Sequence, residues 1–355
     1  MRPRVPASLW GRAAMTLPIA AGVGLLLWWR GPDWGSIRGA FNDVHWWWVL
    51  AAVGLNLLSV IFRAVAWRTV IHEAMPPPQP AFPLVFSAFS VGLMANAVLP
   101  GRIGELARVA VLTRKLPARK GAWATLVGSV FAHRVFDLVP VVLLVLYVLA
   151  AAKIPAWAIT SLVAVIAVGV GLFVFALLSA RHFRHSRLDG LGAVRQVLTM
   201  ARHGLGVMRR PLPALVAVSF QILGWLCQLF AVWTAMRAFG LHLALAAAGL
   251  VLVLMNVATI LPLWPGNVGL VQAAVALPLT QYGVNYGTGF GFGIGLQAIE
   301  ASVGIGFGLI FLAREGLSFA MLRVMPGAVQ AEVPGSEEPS GPTEEADRAR
   351  ARVPG

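Results

Sequence analysis

The segment Asn96-Ala-Val-Leu-Pro-Gly-Arg-Ile-Gly-Glu-Leu-Ala-Arg108 ends an apolar run with a Pro-Gly pair at positions 100 and 101. A helix does not continue through Pro-Gly, so the sequence predicts a break between two helical segments. The same pattern returns in Pro265-Gly-Asn-Val-Gly269, again after an apolar run that contains an Asn. Two breaks at corresponding places in the two halves predict an internal repeat, which in transporters marks the binding site.

The composition around these breaks is that of a membrane protein. Of the 355 residues, 58% are hydrophobic and 12% are charged, and the mean hydropathy is +0.78. A soluble domain has about 25% charged residues. The apolar stretches are continuous, as in membrane-spanning helices, and do not alternate as in a β-barrel. The predicted fold class is therefore an all-α polytopic membrane protein.

The net charge of +14 has two interpretations. Nucleic-acid binding is one, but the cytoplasmic loops of membrane proteins also collect Lys and Arg, and the hydropathy favours this second interpretation. No nucleic-acid partner is expected.

Charge placement further favours a topology in which both breaks belong to re-entrant hairpins, at 81–113 and 243–282. With the N-terminus inside, Arg63, Arg68 and most other basic residues then fall on the inner side. The outer side holds Arg30, Arg38, Lys153 and Arg237.

This topology predicts six full spans and two re-entrant helical hairpins in an inverted repeat. The spans are 13–29, 45–62, 121–152, 156–180, 212–239 and 287–313. Residues 1–326 form a transmembrane domain, and residues 327–355, rich in Pro, Gly and Glu, form a disordered tail. Both termini are expected in the cytoplasm. Two alternatives stay open: 81–99 and 243–264 are full spans, or the Pro-Gly pairs are ordinary loops at the membrane surface.

Charged residues near the first break predict an anion site. Arg102, Glu105 and Arg108 are spaced by three and share one face of a helix, so Glu105 neutralises one Arg and leaves one cation. A surplus guanidinium beside a helix N-terminus suits a lipid phosphate, although a solvated cytoplasmic turn is the alternative. The candidate substrate-binding residues are Asn96, Arg102, Glu105, Arg108, Asn267 and Gln272. The helix breaks consist of Pro100, Gly101, Gly104, Pro265, Gly266 and Gly269.

Further ionisable groups lie inside predicted spans, where each has an insertion cost of about 2.5–3.5 kcal/mol. Arg134 and Asp137 have the i, i+3 spacing of a self-neutralising pair, which alternatively locks helices together. Glu300 faces either a cavity or an Arg. Cys227 is the only cysteine, and no metal or cofactor site is predicted. The alternating glycines from Gly287 to Gly295 predict close helix packing.

Three motifs carry a resemblance to a known family. The segment 96–108, the segment His133-Arg-Val-Phe-Asp-Leu138 and the segment 261–274 resemble signatures of the lysylphosphatidylglycerol synthase transmembrane family. The resemblance covers roughly residues 10–320. The second Pro-Gly signature of the family usually has Gly-Gly and a Glu, where this chain has Gly266-Asn267 and Gln272, which suggests a divergent subgroup with another substrate.

The resemblance implies a flippase-like membrane domain, similar to the membrane half of the multiple peptide resistance factor, with two re-entrant helices and without the soluble aminoacyltransferase domain. The expected function is movement of an anionic or polyprenyl-linked lipid across the cytoplasmic membrane, without enzymatic activity. One alternative is a scaffold for a lipid- or glycan-modifying synthase, docked at the basic loop 181–211. Another is a membrane-embedded lipid-modifying enzyme. The identity of the lipid and the oligomeric state stay open.

Overall fold

The computed structural model describes residues 33–98, 103–116, 122–155, 210–259 and 265–316, with isolated positions between 159 and 174. This described part of the chain is helical and contains no strand. Its α-helices with defined bounds are α1 Trp34–Gly39, α2 Trp46–Ala74, α3 Phe82–Val98, α4 Gly104–Lys115, α5 Ala122–Ala151, α6 Pro211–Ala238, α7 Leu245–Ala258, α8 Leu270–Leu279 and α9 Tyr286–Arg314. Short 3-10 turns occupy Pro265–Asn267 and Thr280–Tyr282.

Four long apolar helices are able to cross a membrane. Helices α2, α5, α6 and α9 have 28 to 30 residues each, or about 42–45 Å at 1.5 Å per residue, against a hydrocarbon thickness of about 30 Å. They occupy the predicted spans that begin at 45, 121, 212 and 287. The predicted spans 13–29 and 156–180, the loop 181–211 and the tail 327–355 lie outside the described residues, apart from the isolated positions, Arg210 and Pro211.

The second predicted span, 45–62, is part of a longer helix. Helix α2 continues to Ala74, past Arg63 and Arg68. The prediction ended the span at the first charged residue because an unpaired charge is costly in a bilayer. In the structure Arg63 is paired with an acid on another helix, which reduces this cost. Arg63, which the prediction counted on the inner side, therefore lies within a helix and pairs across the interior.

Helices α3 and α4 form the first helical hairpin. They approach so closely that a Cβ built on Gly104 would lie 2.0 Å from the carbonyl oxygen of Gly92. Both open ends of the hairpin reach one residue: the Oγ of Ser87 donates to Glu315 at 2.8 Å, and the Nζ of Lys115 lies 3.1 Å from the same carboxylate. Since Glu315 follows α9, this hairpin opens at the C-terminal end of α9.

Helices α7 and α8 form the second helical hairpin, which opens at the other end of the molecule. Before α7, the carbonyl oxygen of Leu243 accepts a hydrogen bond from Trp233 at 3.3 Å. After α8, the hydroxyl of Tyr282 accepts one from the backbone N–H of Lys153 at 2.8 Å. Tyr282 lies just before α9 begins at Tyr286. The two hairpins therefore open toward opposite ends of α9.

Glycines on α9 let both hairpins pack against this helix. A Cβ on Gly293 would lie 3.1 Å from the Cα of Gln272 in α8, and one on Gly308 would lie 2.3 Å from the Cβ of Met94 in α3. The predicted role of glycine in close helix packing is thereby confirmed. Two apolar clusters complete the interior. One surrounds α7, which is buried from Ala246 to Met255. The other surrounds Trp67 and contains residues of α3, α4 and α5.

Candidate functional site

The first helix break is closed by a side-chain amide. The Oδ1 of Asn96, near the end of α3, accepts a hydrogen bond from the backbone N–H of Gly104 at 2.9 Å. This bond satisfies one of the free N–H groups at the start of α4. Asn96 thus holds the two halves of the hairpin together. Pro100, Gly101 and Arg102 lie outside the described residues.

At the second break a different amide, on the helix that follows the break, satisfies the N–H of the glycine that corresponds to Gly104 in the Pro-Gly motif. The Oε1 of Gln272 accepts from the backbone N–H of Gly269 at 2.6 Å. Its Nε2 donates to Gln297 on α9, and Gln297 in turn donates to the carbonyl oxygen of Gly266. Asn267 donates to the carbonyl oxygen of Ala258 at 2.9 Å. These amides are used inside the protein, where they connect α7, α8 and α9.

The turn at the second break requires unusual backbone angles. Gly266 and Gly269 have φ of 69° and 92°, and Asn267, which has a side chain, has φ of 44°. This left-handed region favours Gly, and Asn tolerates it better than most residues. The Pro265-Gly-Asn-Val-Gly269 motif therefore supplies residues suited to a tight break between α7 and α8. Asn267 and Gln272 are both buried.

Glu105 joins the first hairpin to α5. Its carboxylate forms ion pairs with Arg108 and with Arg134. Arg108 is buried, and its guanidinium lies 4.6 Å from the ring centroid of Trp67 and 5.3 Å from that of Phe89. Stacking on aromatic faces supports a buried guanidinium by cation–π attraction. The sequence predicted that Glu105 pairs with Arg102 or Arg108. In the structure it pairs with Arg108 and also with Arg134 on α5.

Asp137 lies at the centre of the polar cluster. Its carboxylate accepts from Arg134 on its own helix at 3.0 Å, which confirms the predicted i, i+3 pair. Arg63 on α2 donates to both of its oxygens, at 3.3 and 3.4 Å. From α6, Gln221 donates at 2.8 Å and Trp225 at 2.9 Å. A carboxylate with several donors is well satisfied although buried, and Asp137 ties three long helices together.

In this cluster three Arg side chains contact two carboxylates, so one positive charge is in excess. Arg63, Arg108 and Arg134 face Glu105 and Asp137. The exposed fractions of the three Arg side chains differ: 17% for Arg63, 4% for Arg108 and 49% for Arg134. Arg134 is therefore the guanidinium of this cluster that a molecule from outside reaches most easily.

Glu300 on α9 is connected to the cluster through one amide. The amide of Gln228 on α6 lies beside the Glu300 carboxylate, and its Oε1 accepts from Arg63 at 3.5 Å. Glu300 is half-buried, and its Oε1 has no hydrogen-bond partner among the described residues. The sequence predicted that Glu300 faces a cavity or an Arg, and the structure brings it to Arg63 by way of Gln228.

These contacts form a polar path between the two helix breaks. The path begins at Glu105 beside the first break and passes through Arg134, Asp137, Arg63 and Gln228 to Glu300. One turn earlier on α9, Gln297 continues it to Gln272 and the second break. Its half near the first break is charged, whereas its half near the second break consists of neutral amides.

Sequence reasoning missed the residues on α6. Gln221, Trp225 and Gln228 follow each other at i, i+4 and i+7 inside an apolar span. This spacing places them on one helix face, and a search for polar residues within spans would have found the stripe. Gln297 escaped attention because only its contact with the distant Gln272 gives it a role. The described residues contain no group of three His, Cys, Asp or Glu side chains able to hold a metal.

The described residues contain helices and no strand, and four of these helices are apolar, of membrane length and joined by paired charged side chains, so the chain is a multi-pass membrane protein. The chain belongs to the lysylphosphatidylglycerol synthase transmembrane region family, whose sequence model matches residues 15–308. It is also similar to a UPF0104 membrane protein of Pyrococcus horikoshii, with 27% identity over 118 residues. That match covers 33% of this chain and 34% of the relative. No solved structure matches the chain.

Proposed function

We propose that the protein is a lipid translocase of the cytoplasmic membrane, without enzymatic activity, which moves an anionic or polyprenyl-linked lipid between leaflets. The observation that carries this proposal is the polar path between the two helix breaks. A lipid head group needs a polar route through the hydrocarbon, whereas its acyl chains can stay in the bilayer. Charged and amide side chains at membrane depth are costly unless they have a function or firm partners.

The proposed topology has six full spans and two re-entrant hairpins. Helices α7 and α8 have 14 and 10 residues, or about 21 and 15 Å, and the hydrocarbon is about 30 Å thick. Both ends of each hairpin contact the same end of the molecule, and the two hairpins open at opposite ends. These features support an inverted repeat whose breaks meet inside the membrane.

The end of the molecule near Glu315 is proposed to be cytoplasmic. It carries Arg114, Lys115 and Arg314, in agreement with the positive-inside rule. At the opposite end, the Trp46 and Trp47 side chains are 73% and 84% exposed, which is typical of an aromatic belt at a membrane surface. The first hairpin, with its charged cluster, then enters from the cytoplasm.

Arg134 is the proposed contact for the phosphate of the lipid. It is half-exposed and shares its two carboxylate partners with Arg108 and Arg63, so it belongs to a cluster with surplus positive charge. A guanidinium donates to phosphate oxygens in a bidentate manner. Asn96, Asn267 and Gln272 support the site less directly, because they hold the breaks in shape.

Lipid movement in liposomes tests the proposal. Purified protein is reconstituted with fluorescent phosphatidylglycerol or a fluorescent polyprenyl phosphate, and an impermeant quencher reports the outer-leaflet fraction over time. We expect the wild type to accelerate movement of at least one of these lipids. Arg134→Gln should reduce the rate at least about tenfold, since a lost charge-assisted contact is worth about 1.5–3 kcal/mol.

The matched control for this test is Arg210→Gln. Arg210 also pairs with an acid, Glu73, but its side chain is 73% exposed and lies immediately before α6 begins. This variant should move lipid at the wild-type rate. If folded wild-type protein moves neither lipid, or if Arg134→Gln is as active as the wild type, the translocase proposal fails and the scaffold or lipid-modifying alternatives become preferable.

A further inference from the structure

We propose that Glu300 is a proton-binding site whose charge decides which acid holds Arg63. The proton site stands on its own contacts, and the consequence for lipid movement rests on the proposed function. Three neighbouring groups carry the proposal. The carboxyl of Glu300 on α9 lies beside the amide of Gln228 on α6, and this amide contacts the guanidinium of Arg63 on α2.

The surroundings of Glu300 provide little that holds a permanent negative charge. Its Oε1 is buried and has no hydrogen-bond partner within the described part of the chain. Helices α3 and α8 pack against α9, and neither contains a titratable residue. Helix α6 contributes the neutral amide of Gln228, and α2 contributes Arg63. The short α1 contacts α9 near its beginning, around Gly287 and Gly291, more than two turns from Glu300.

Arg63 is already committed to another acid. Its Nη2 contacts both oxygens of Asp137, while its Nη1 reaches only the amide oxygen of Gln228 at 3.5 Å. An ionised carboxylate with an unpaired oxygen at this depth is costly. The cost falls in two ways: Glu300 binds a proton, or Arg63 turns from Asp137 toward Glu300. The arrangement in the structure is the one expected with the proton bound.

The two states differ in how Arg134 is held. With Glu300 protonated, Arg63 and Arg134 share the carboxylate of Asp137. With Glu300 ionised, Arg63 moves away and Arg134 becomes the main cationic partner of Asp137, so it is less available to a phosphate. Proton binding at Glu300 and anion binding at Arg134 therefore favour each other, and by linkage this coupling is reciprocal.

Infrared difference spectroscopy of the reconstituted protein tests the proton site without any transport assay. The pH is stepped from alkaline to mildly acid, above the range in which exposed carboxyls bind protons, and the carbonyl stretch of protonated carboxylic acids is recorded. We expect a titrating band in the wild type, complete loss of this band in Glu300→Gln and a shifted band in Glu300→Asp. Glu73→Gln removes a carboxyl beside the exposed Arg210 instead and should keep the band.

Three results would overturn the proton site: no titrating band in the wild type, an unchanged band in Glu300→Gln, or a band that responds to Na⁺ at constant pH. The absence of a titrating band in the wild type would decide against the site even if a variant does not fold. In the transport assay, wild-type lipid movement should slow at alkaline pH, whereas the rate of Glu300→Gln, which mimics the protonated form, should not depend on pH in this range. If no lipid moves but the band titrates, the proposed function fails and the proton site remains.

Discussion

The side chains of Arg63 and Asp137 join two long helices, with Nη2 of Arg63 lying 3.3 and 3.4 Å from the two carboxylate oxygens. The pair connects α2 to α5 across the interior, and Trp225 lies 5.3 Å from the guanidinium of Arg63. Because water is scarce at this depth, each charge depends on the other for its stability. The contact therefore acts as a lock between helices as well as part of the polar path.

Removal of the acid from this pair should destabilise the protein. Asp137→Leu leaves Arg63 without its carboxylate and removes the acceptor for Gln221 and Trp225. Breaking a buried pair from one side costs about 3–5 kcal/mol. The free energy of unfolding, measured with denaturant in detergent micelles, should fall by about this amount.

A double variant separates the loss of the pair from the presence of an unpaired charge. Arg63→Met with Asp137→Leu removes both charges and should recover most of the stability, since apolar residues of similar volume often replace a buried pair at little cost. Arg134→Ala with Asp137→Ala should not recover it, because Arg63 stays unpaired. Equal stability of the two double variants would show that Arg63 does not depend on Asp137.

The close approach of α3 and α4 predicts a severe effect of one methyl group. In Gly104→Ala the new Cβ would lie 2.0 Å from a backbone oxygen and 2.6 Å from Asn96. The nearer neighbour is a backbone oxygen, which cannot rotate aside, so the hairpin must open, at a cost of about 3 kcal/mol or more. Thermal unfolding should show a clearly lower Tm.

The matched control is Gly54→Ala on α2, where an added Cβ meets nothing within 4 Å. Ala favours a helix over Gly by up to about 1 kcal/mol, so this variant should be as stable as the wild type or slightly more stable. A Gly104→Ala protein with wild-type Tm would contradict the packing of the first hairpin.

The amide that closes the second break should matter for stability. Gln272→Leu leaves the backbone N–H of Gly269 without its acceptor and Gln297 without its donor. Unsatisfied buried groups cost about 1–3 kcal/mol. The measurement is again the free energy of unfolding. Gln281→Leu, at an exposed position in the turn after α8, should change it little, and a similar loss in both variants would argue against the cap.

Stability in acid should depend on Glu315. Burial by itself raises the pKa of this carboxyl, but hydrogen bonds from Ser87 and Lys115 outweigh burial and hold its pKa below the usual value. A lowered pKa in the folded state contributes stability that is present above the unfolded-state pKa and is lost as pH falls through the folded-state pKa. Tm measured against pH should therefore decrease over this acid range.

In Glu315→Gln the Tm should fall less steeply at acid pH than in the wild type, because the titrating group is gone. Ser87→Ala removes one of the two hydrogen bonds and should shift the acid loss to higher pH. Glu73→Gln serves as the comparison, since it removes an acid that pairs with the exposed Arg210. Identical pH profiles for the wild type and Glu315→Gln would contradict the role of this carboxyl.

The helix breaks and one ion pair were predictable because their causes are local. Pro265-Gly266 stops a helix wherever it occurs, and Arg134 and Asp137 meet because they are one turn apart on the same helix. The contact of Arg63 in the interior was not predictable, because its partner is 74 residues away in sequence. A prediction from sequence ends a membrane span at a charged residue, because the sequence does not show which distant acid pairs with that charge.

The sequence by itself determined that this chain is a helical membrane protein and that two Pro-Gly motifs break it, because composition and backbone chemistry act residue by residue. Only the tertiary structure decided which side chains form one polar path. Asn96 and Gln272 became caps, and Arg134 became the exposed guanidinium, through contacts between helices far apart in the chain. Such contacts depend on how whole helices pack, and no local pattern encodes that packing.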